Sequence, residues 1–361
     1  VLTGIGVALL VALAAALLVP SPSALAHRGA AALAWRNRGA SLSLVAAFVL
    51  GTHGWVADAM AREQLQYVCV ITLGYGHLLG GWVFARARLE ALRPPGVSPL
   101  LFGALLAVSA ASLLALYGEA LARAPILLIP VLAVTTWHTI ENDLALARAY
   151  GERLALGPVT RDRDYHLIAL GVTGLVVAAT LATMDPAALA FAIGGTPLDA
   201  TGNLAPRIAV GLGGAWLVLG GSRPAHRVAG ALLCAGAIAL PADLRGTGIG
   251  FGEIFSIAVL HHLIGFLLLF ADRARLALAS GDRDAARSVG LRLALVHAPF
   301  ALVTAALLLL PLPALYGLRT WFFSPALYLF WSLLHVAQTL AVRGLERASR
   351  PAAPASLWSD A

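Results

Sequence analysis

The first nineteen residues, VLTGIGVALLVALAAALLV, carry no charge, and runs of this kind recur along the whole chain. In lipid a backbone satisfies its polar groups only as a helix or a closed barrel, and a crossing helix needs about 20 apolar residues. Barrel strands would alternate polar and apolar residues, which these runs do not do. The chain therefore reads as all-α, a polytopic integral membrane helix bundle. Its composition agrees, with 60% apolar and only 12% charged residues among 361, far from the balance of a soluble domain.

Apolar runs bounded by Arg, Pro and Gly place spans near 3–19, 41–61, 65–85, 98–117, 124–147, 165–184, 207–221, 226–241, 253–272, 290–311 and 321–342, or ten to eleven transmembrane helices. Residues 1–26 read either as a first transmembrane helix or as a signal segment, because SALA before His27 has the form of a signal-peptidase site. Residues 27–350 are expected to form a single polytopic domain and 351–361 a tail. Two connections stand out. Residues 185–206 are long and half apolar, and RGTGIGFGE (245–253) suits a tight approach to the next helix.

All 25 basic residues are arginine, and 20 of them fall in the segments around 28–38, 86–93, 148–163, 223–227, 273–292 and 343–350. That bias falls on every second loop, which places those loops and the C-terminus in the cytoplasm of a bacterial inner membrane. The net charge of +7 comes from short loops, not from one basic domain, so a nucleic-acid surface is excluded. Cys69 and Cys234 sit alone in apolar runs, which excludes a disulfide framework and a cysteine metal knuckle.

The histidines give the clearest functional signal. His27, His166, His226 and His297 lie in or near arginine-rich segments and are read as surface residues. Four helices running in one direction carry histidine ahead of their closing arginine: His77 before Arg86, His138 before Arg148, His262 before Arg273 and His335 before Arg343. At about 1.5 Å per residue these imidazoles lie roughly 12–16 Å from the boundary, near the middle of the bilayer. His53 on an opposite-running helix, and His261 beside His262, fall near the same level. One histidine in a span is ordinarily hydrogen-bonding glue between helices. Six on five helices at one depth point to a site, because ionisable groups are costly there.

Imidazole-rich ligation with one carboxylate suits iron, zinc or copper. Glu141 follows His138 by three residues, so the two share a helix face, and it is the candidate metal carboxylate and catalytic proton carrier. Asn142 on the same face and Gln338, three residues after His335, are candidate supporting groups. Asp143 belongs to the cytoplasmic rim, and Asp58, five residues after His53, is placed as a supporting group near the outer boundary.

The order His53-Gly54, His138 with Glu141, then His261-His262 resembles that of the haem-copper oxidases and nitric oxide reductases, although His335 alone stands where that family has two histidines. The HG at His53 is also similar to that of microbial carotene-cleaving membrane oxygenases, with Asn142 where their HxxxH has its second histidine. The HxxxH and HxxHH boxes of membrane desaturases are absent. These resemblances imply redox or oxygen chemistry at a deep polyhistidine centre.

The sequence thus leads to a metal-dependent membrane oxidoreductase with a non-haem iron or di-iron centre. Its ligands are His53, His77, His138, His261, His262, His335 and Glu141, and its substrate is a lipid, isoprenoid or quinone-type molecule drawn from the bilayer, with a redox partner. The alternatives are a zinc-dependent intramembrane hydrolase and a haem-binding electron-transfer or metal-transport protein.

Overall fold

The computed structural model describes residues 2–18, 30–84, 163–183, 204–222, 224–241, 250–310, 312–324, 327–328 and 330–336, with the single positions 98, 101, 103, 104, 107, 108, 111, 112, 115, 138 and 244. Among the described residues every regular element is helical. The helices are α1 (Leu2–Leu18), α2 (Ala30–Trp55), α3 (Ala59–Phe84), α4 (Arg163–Thr183), α5 (Leu204–Gly220), α6 (Pro224–Ala239), α7 (Phe251–Ala279), α8 (Arg283–Leu309) and α9 (Tyr316–Phe322). A 3-10 turn at Pro313–Leu315 precedes α9.

Local chemistry sets several boundaries. Asp58 accepts the Ala61 N–H at 2.7 Å, a helix N-cap. The expected span 41–61 is therefore corrected to a helix ending at Trp55 and a new one starting at Ala59, and Asp58 is a cap. Pro224 opens α6 where its missing N–H costs nothing. Gly281, at φ 81°, closes α7 in the left-handed region. Asp282 then caps α8 by accepting the Ala285 N–H at 2.9 Å. The glycine-rich approach to α7 ends at Gly250, whose N–H is accepted by Glu253 at 3.2 Å. A Cβ at Gly250 would stand 2.6 Å from the Glu63 carboxylate, so a side chain there would require the Glu63 side chain to move aside.

The chain divides into two compact units, Val1–Gly74 with Leu121–Leu295, and Tyr75–Ala120 with Val296–Ala361. In the first, α1 packs along α2, α2 along α7, and the α5–α6 hairpin on α4. Gly214 and Gly230 bring α5 and α6 into backbone contact: a Cβ at Gly230 would stand 2.6 Å from the Gly214 carbonyl. Ile168, Val210, Leu217, Leu233 and Ala237 form the apolar core beneath. In the second unit Tyr75 packs against Phe300, Phe322 and Tyr328 with ring centres 5.2–5.8 Å apart, and its hydroxyl donates to the Phe322 carbonyl at 3.0 Å.

Expectations about two of the arginine-rich loops are overturned. Arg273, Arg275, Arg283, Arg287 and Arg292 lie within α7 and α8, and Arg36 and Arg38 do not lie in a connection, because α2 begins at Ala30. Arg36 is only 4% exposed and pairs with Asp272 of α7, which lets a charged turn enter the packed interior. Two described helices are long and apolar enough to cross a membrane, Ser256–Ala279 within α7 and Arg283–Leu309.

Candidate functional site

The ring contacts pair four of the six histidines expected at one depth. In the first unit His138 and His262, both buried, have ring centres 6.3 Å apart and planes at 61°. His262 also meets the Phe266 edge at 5.0 Å, one turn further along α7. In the second unit His77 of α3 and buried His335 lie 5.1 Å apart at 69°. Each pair joins residues distant in sequence, so each is a product of tertiary packing.

The other two histidines have different company. His261 Nδ1 lies 2.7 Å from the Ser41 hydroxyl on α2. Adjacent residues on a helix point about 100° apart, so α7 turns His261 toward α2 and His262 toward His138. His53 occupies the last turn of α2, with its side chain 39% exposed and its Nδ1 3.4 Å from the Glu253 carboxylate. Glu141, Asn142 and Gln338 lie outside the described residues.

Two imidazoles on one ion have ring centres about 4.5–6.5 Å apart, since a metal sits about 2.1 Å from the bound nitrogen. The observed 5.1 and 6.3 Å fall inside that range. Among the described residues, no group of three His, Cys, Asp or Glu side chains is arranged to hold a metal. What the described residues present is two pairs of neighbouring imidazoles.

Three polar constellations of the first unit escaped the sequence reading. Glu253 is buried at one end of α7, with Oε1 3.4 Å from both His53 Nδ1 and Arg62 Nε. The Arg36–Asp272 pair stands toward the opposite end of the same helix, where Asn37 donates to the Gly265 carbonyl at 2.9 Å. The third gathers His226, read as a surface residue and only 1% exposed. Asp164 Oδ2 accepts the Ser222 N–H and hydroxyl, both at 2.7 Å, and lies 3.1 Å from His226 Nδ1. The Ser222 N–H, foremost, and then the Ser222 hydroxyl hold the Asp164 carboxyl below its ordinary value. Serine and histidine share one carboxylate oxygen, so this cluster fastens α4 to the α5–α6 turn. It lacks the serine-to-histidine-to-aspartate order of a nucleophilic relay.

Glu253 and Asp272 carried a signal, as acidic residues flanking an otherwise apolar run. Their partners did not, because Arg36 and Arg62 look like ordinary loop arginines. No family model, curated protein or solved structure matches the chain.

Proposed function

We propose that the chain is a polytopic membrane protein of ten to eleven spans, and a metal-dependent oxidoreductase whose iron is bound by imidazole. Its substrate is a lipid, isoprenoid or quinone-type molecule. The observation that carries this reading is the presence of two histidine pairs, His138–His262 and His77–His335, with separations suited to sharing an ion. Neutral imidazole is the commonest protein ligand of transition metals, and intramembrane histidine is kept where it has work to do.

Membrane residence has its own support in the outward faces of the helices. Leu9, Leu219, Leu232, Ile238 and Leu309 are 66–84% exposed, and large apolar side chains in such number suit lipid better than water. The arginine-rich loops, and with them the C-terminus, are assigned to the cytoplasm of a bacterial inner membrane.

Bound iron would supply one-electron redox chemistry. The chain's own contribution is positional. Phe266 packs against the His262 ring, and Tyr75, held by three aromatic rings and the Phe322 carbonyl, fixes α3 two residues before His77. Apolar surroundings exclude water and strengthen every electrostatic interaction inside.

The two-donor count favours a second reading on the same residues, in which the imidazoles would hold haem and the protein would transfer electrons. Elemental analysis with an absorption spectrum of the purified protein separates the possibilities. Stoichiometric iron without a Soret band supports the non-haem reading, and a Soret band the haem reading. Zinc moves the assignment to a hydrolase, and absence of any metal refutes all three.

A further inference from the structure

Where α2 ends and α3 begins, the first unit holds a set of polar groups that the histidine pairs do not use. Gln66 is fully enclosed, and its Nε2 donates to the Thr52 hydroxyl at 3.1 Å. That hydroxyl donates in turn to the Val49 carbonyl at 3.0 Å. Gln66 Oε1 is buried and accepts no hydrogen bond. A buried acceptor left without a donor costs about 1–3 kcal/mol, so this oxygen has the character of a receptor.

Its surroundings define what it would receive. Arg62 stands one turn away on the same face of α3, anchored by the Val56 carbonyl at 3.0 Å and the Ala57 carbonyl at 3.3 Å. Arg62 Nε and His53 Nδ1 both approach Glu253 Oε1 at 3.4 Å, which fixes a second acceptor, a carboxylate only 2% exposed. His53 is the open member, and Trp55 and Met60, at the end of α2 and the start of α3, are 67% and 69% exposed. Two buried oxygen acceptors thus lie by the junction of α2 and α3, whose outer surface exposes the apolar side chains Trp55 and Met60. That combination selects a molecule with hydroxyl donors on a hydrophobic body.

We infer that Gln66, Glu253 and His53 form a binding site for the hydroxyl headgroup of a membrane-soluble quinol or lipid alcohol. The ligand hydroxyl donates to Gln66 Oε1, a second hydroxyl, where there is one, reaches the Glu253 carboxylate, and the tail leaves past Trp55 and Met60. Glu253 precedes His262 on α7 by nine residues, roughly 13 Å at the helical rise, so the headgroup lies apart from the His138–His262 pair. The inference deepens the oxidoreductase reading, and rests on it for the redox-active member of the class.

The test is equilibrium binding of a 1,4-benzoquinol with a ten-carbon tail to the full-length protein in detergent, followed by tryptophan quenching. Its dimethyl ether and an isoprenoid alcohol of equal length are run alongside. Saturable quinol binding is expected, with the dimethyl ether, which lacks donors, at least about tenfold weaker. Gln66→Leu weakens quinol binding about tenfold, and Trp55→Phe diminishes the quench. An isoprenoid alcohol that binds as tightly as the quinol identifies a lipid alcohol as the source of the hydroxyl, and a weaker one identifies a quinol. The inference is overturned if the wild type binds neither hydroxyl compound saturably, or if the dimethyl ether binds as tightly as the quinol. The ether comparison needs no variant and stands even if Gln66→Leu fails to fold. Metal content is measured on the same preparations. Iron without quinol or alcohol binding removes only this site, and binding without metal removes only the metal reading.

Discussion

The α2–α7 interface and the α5–α6 hairpin draw on the same stock of alanine, leucine and glycine but are held together differently. Along α2 and α7, polar contacts recur from one end to the other: Arg36 with Asp272, Asn37 with the Gly265 carbonyl, Ser41 with His261 and His53 with Glu253. Between α5 and α6 the approach of Gly214 and Gly230 lets Leu217 and Leu233 close the gap, with the Cys234 thiol on the Gly211 carbonyl between them, and the charged contacts lie at the two ends: Asp164 of α4 grips Ser222 and His226 at the turn, and Arg207 donates to the Ala237 and Ile238 carbonyls at the other end. Along most of its length this hairpin is joined by apolar packing. Polarity buried along a whole interface is costly, and in a membrane setting it makes the helices that carry it the first place to look for a site.

The largest expected effect is on the polar side of this contrast. Asp272→Ala leaves Arg36 buried without its carboxylate and should cost about 3–5 kcal/mol in denaturant unfolding of the detergent-solubilised protein. A loss under 1 kcal/mol would reduce the interface to ordinary packing. On the apolar side, Gly230→Val places a side chain 2.6 Å from the Gly214 carbonyl and 2.7 Å from Leu217 Cβ. It should cost about 1–3 kcal/mol as an overpacked contact, and a neutral result would show that the hairpin is not close-packed.

The turn clamp is tested by acid. The Asp164 carboxyl lies below its ordinary value of 3.8, so its contribution is complete above that pH and is lost as pH falls through the lower folded value. Asp164→Asn should cost about 1–2 kcal/mol at neutral pH and flatten the stability profile below about pH 4. Equal acid limbs in the two proteins would remove the carboxylate from the account. The smallest effect expected is that of Ser41→Ala, about 0.5–1.5 kcal/mol for one hydrogen bond to His261, read in the same unfolding assay.

The sequence made the helices legible wherever they were long and apolar, and α4 to α6 begin and end within a few residues of the expected spans. It failed at α2, where Arg36 suggested a loop, because the carboxylate that admits it to the interior lies 236 positions away. Spacing along the helices singled out His138, His262, His77 and His335, and the structure places them in two ring pairs. It said nothing of the rotation that turns His261 toward Ser41 or leaves His53 beside Glu253, because spacing along an axis fixes height without fixing which neighbour a face meets. His226 was passed over for the same reason, its partners Asp164 and Ser222 belonging to two other segments. Gln66 gave no sign at all, since an unmet hydrogen bond exists only once the surroundings are built.

The proposal that the paired histidines hold metal is tested by metal stoichiometry from elemental analysis of wild type, His262→Ala and His335→Ala, with helix content followed by circular dichroism. Bound iron is expected in the wild type and, at unchanged helix content, loss in each variant of the metal held by the altered pair. Wild-type protein without metal, or both variants retaining the full wild-type complement, would contradict it.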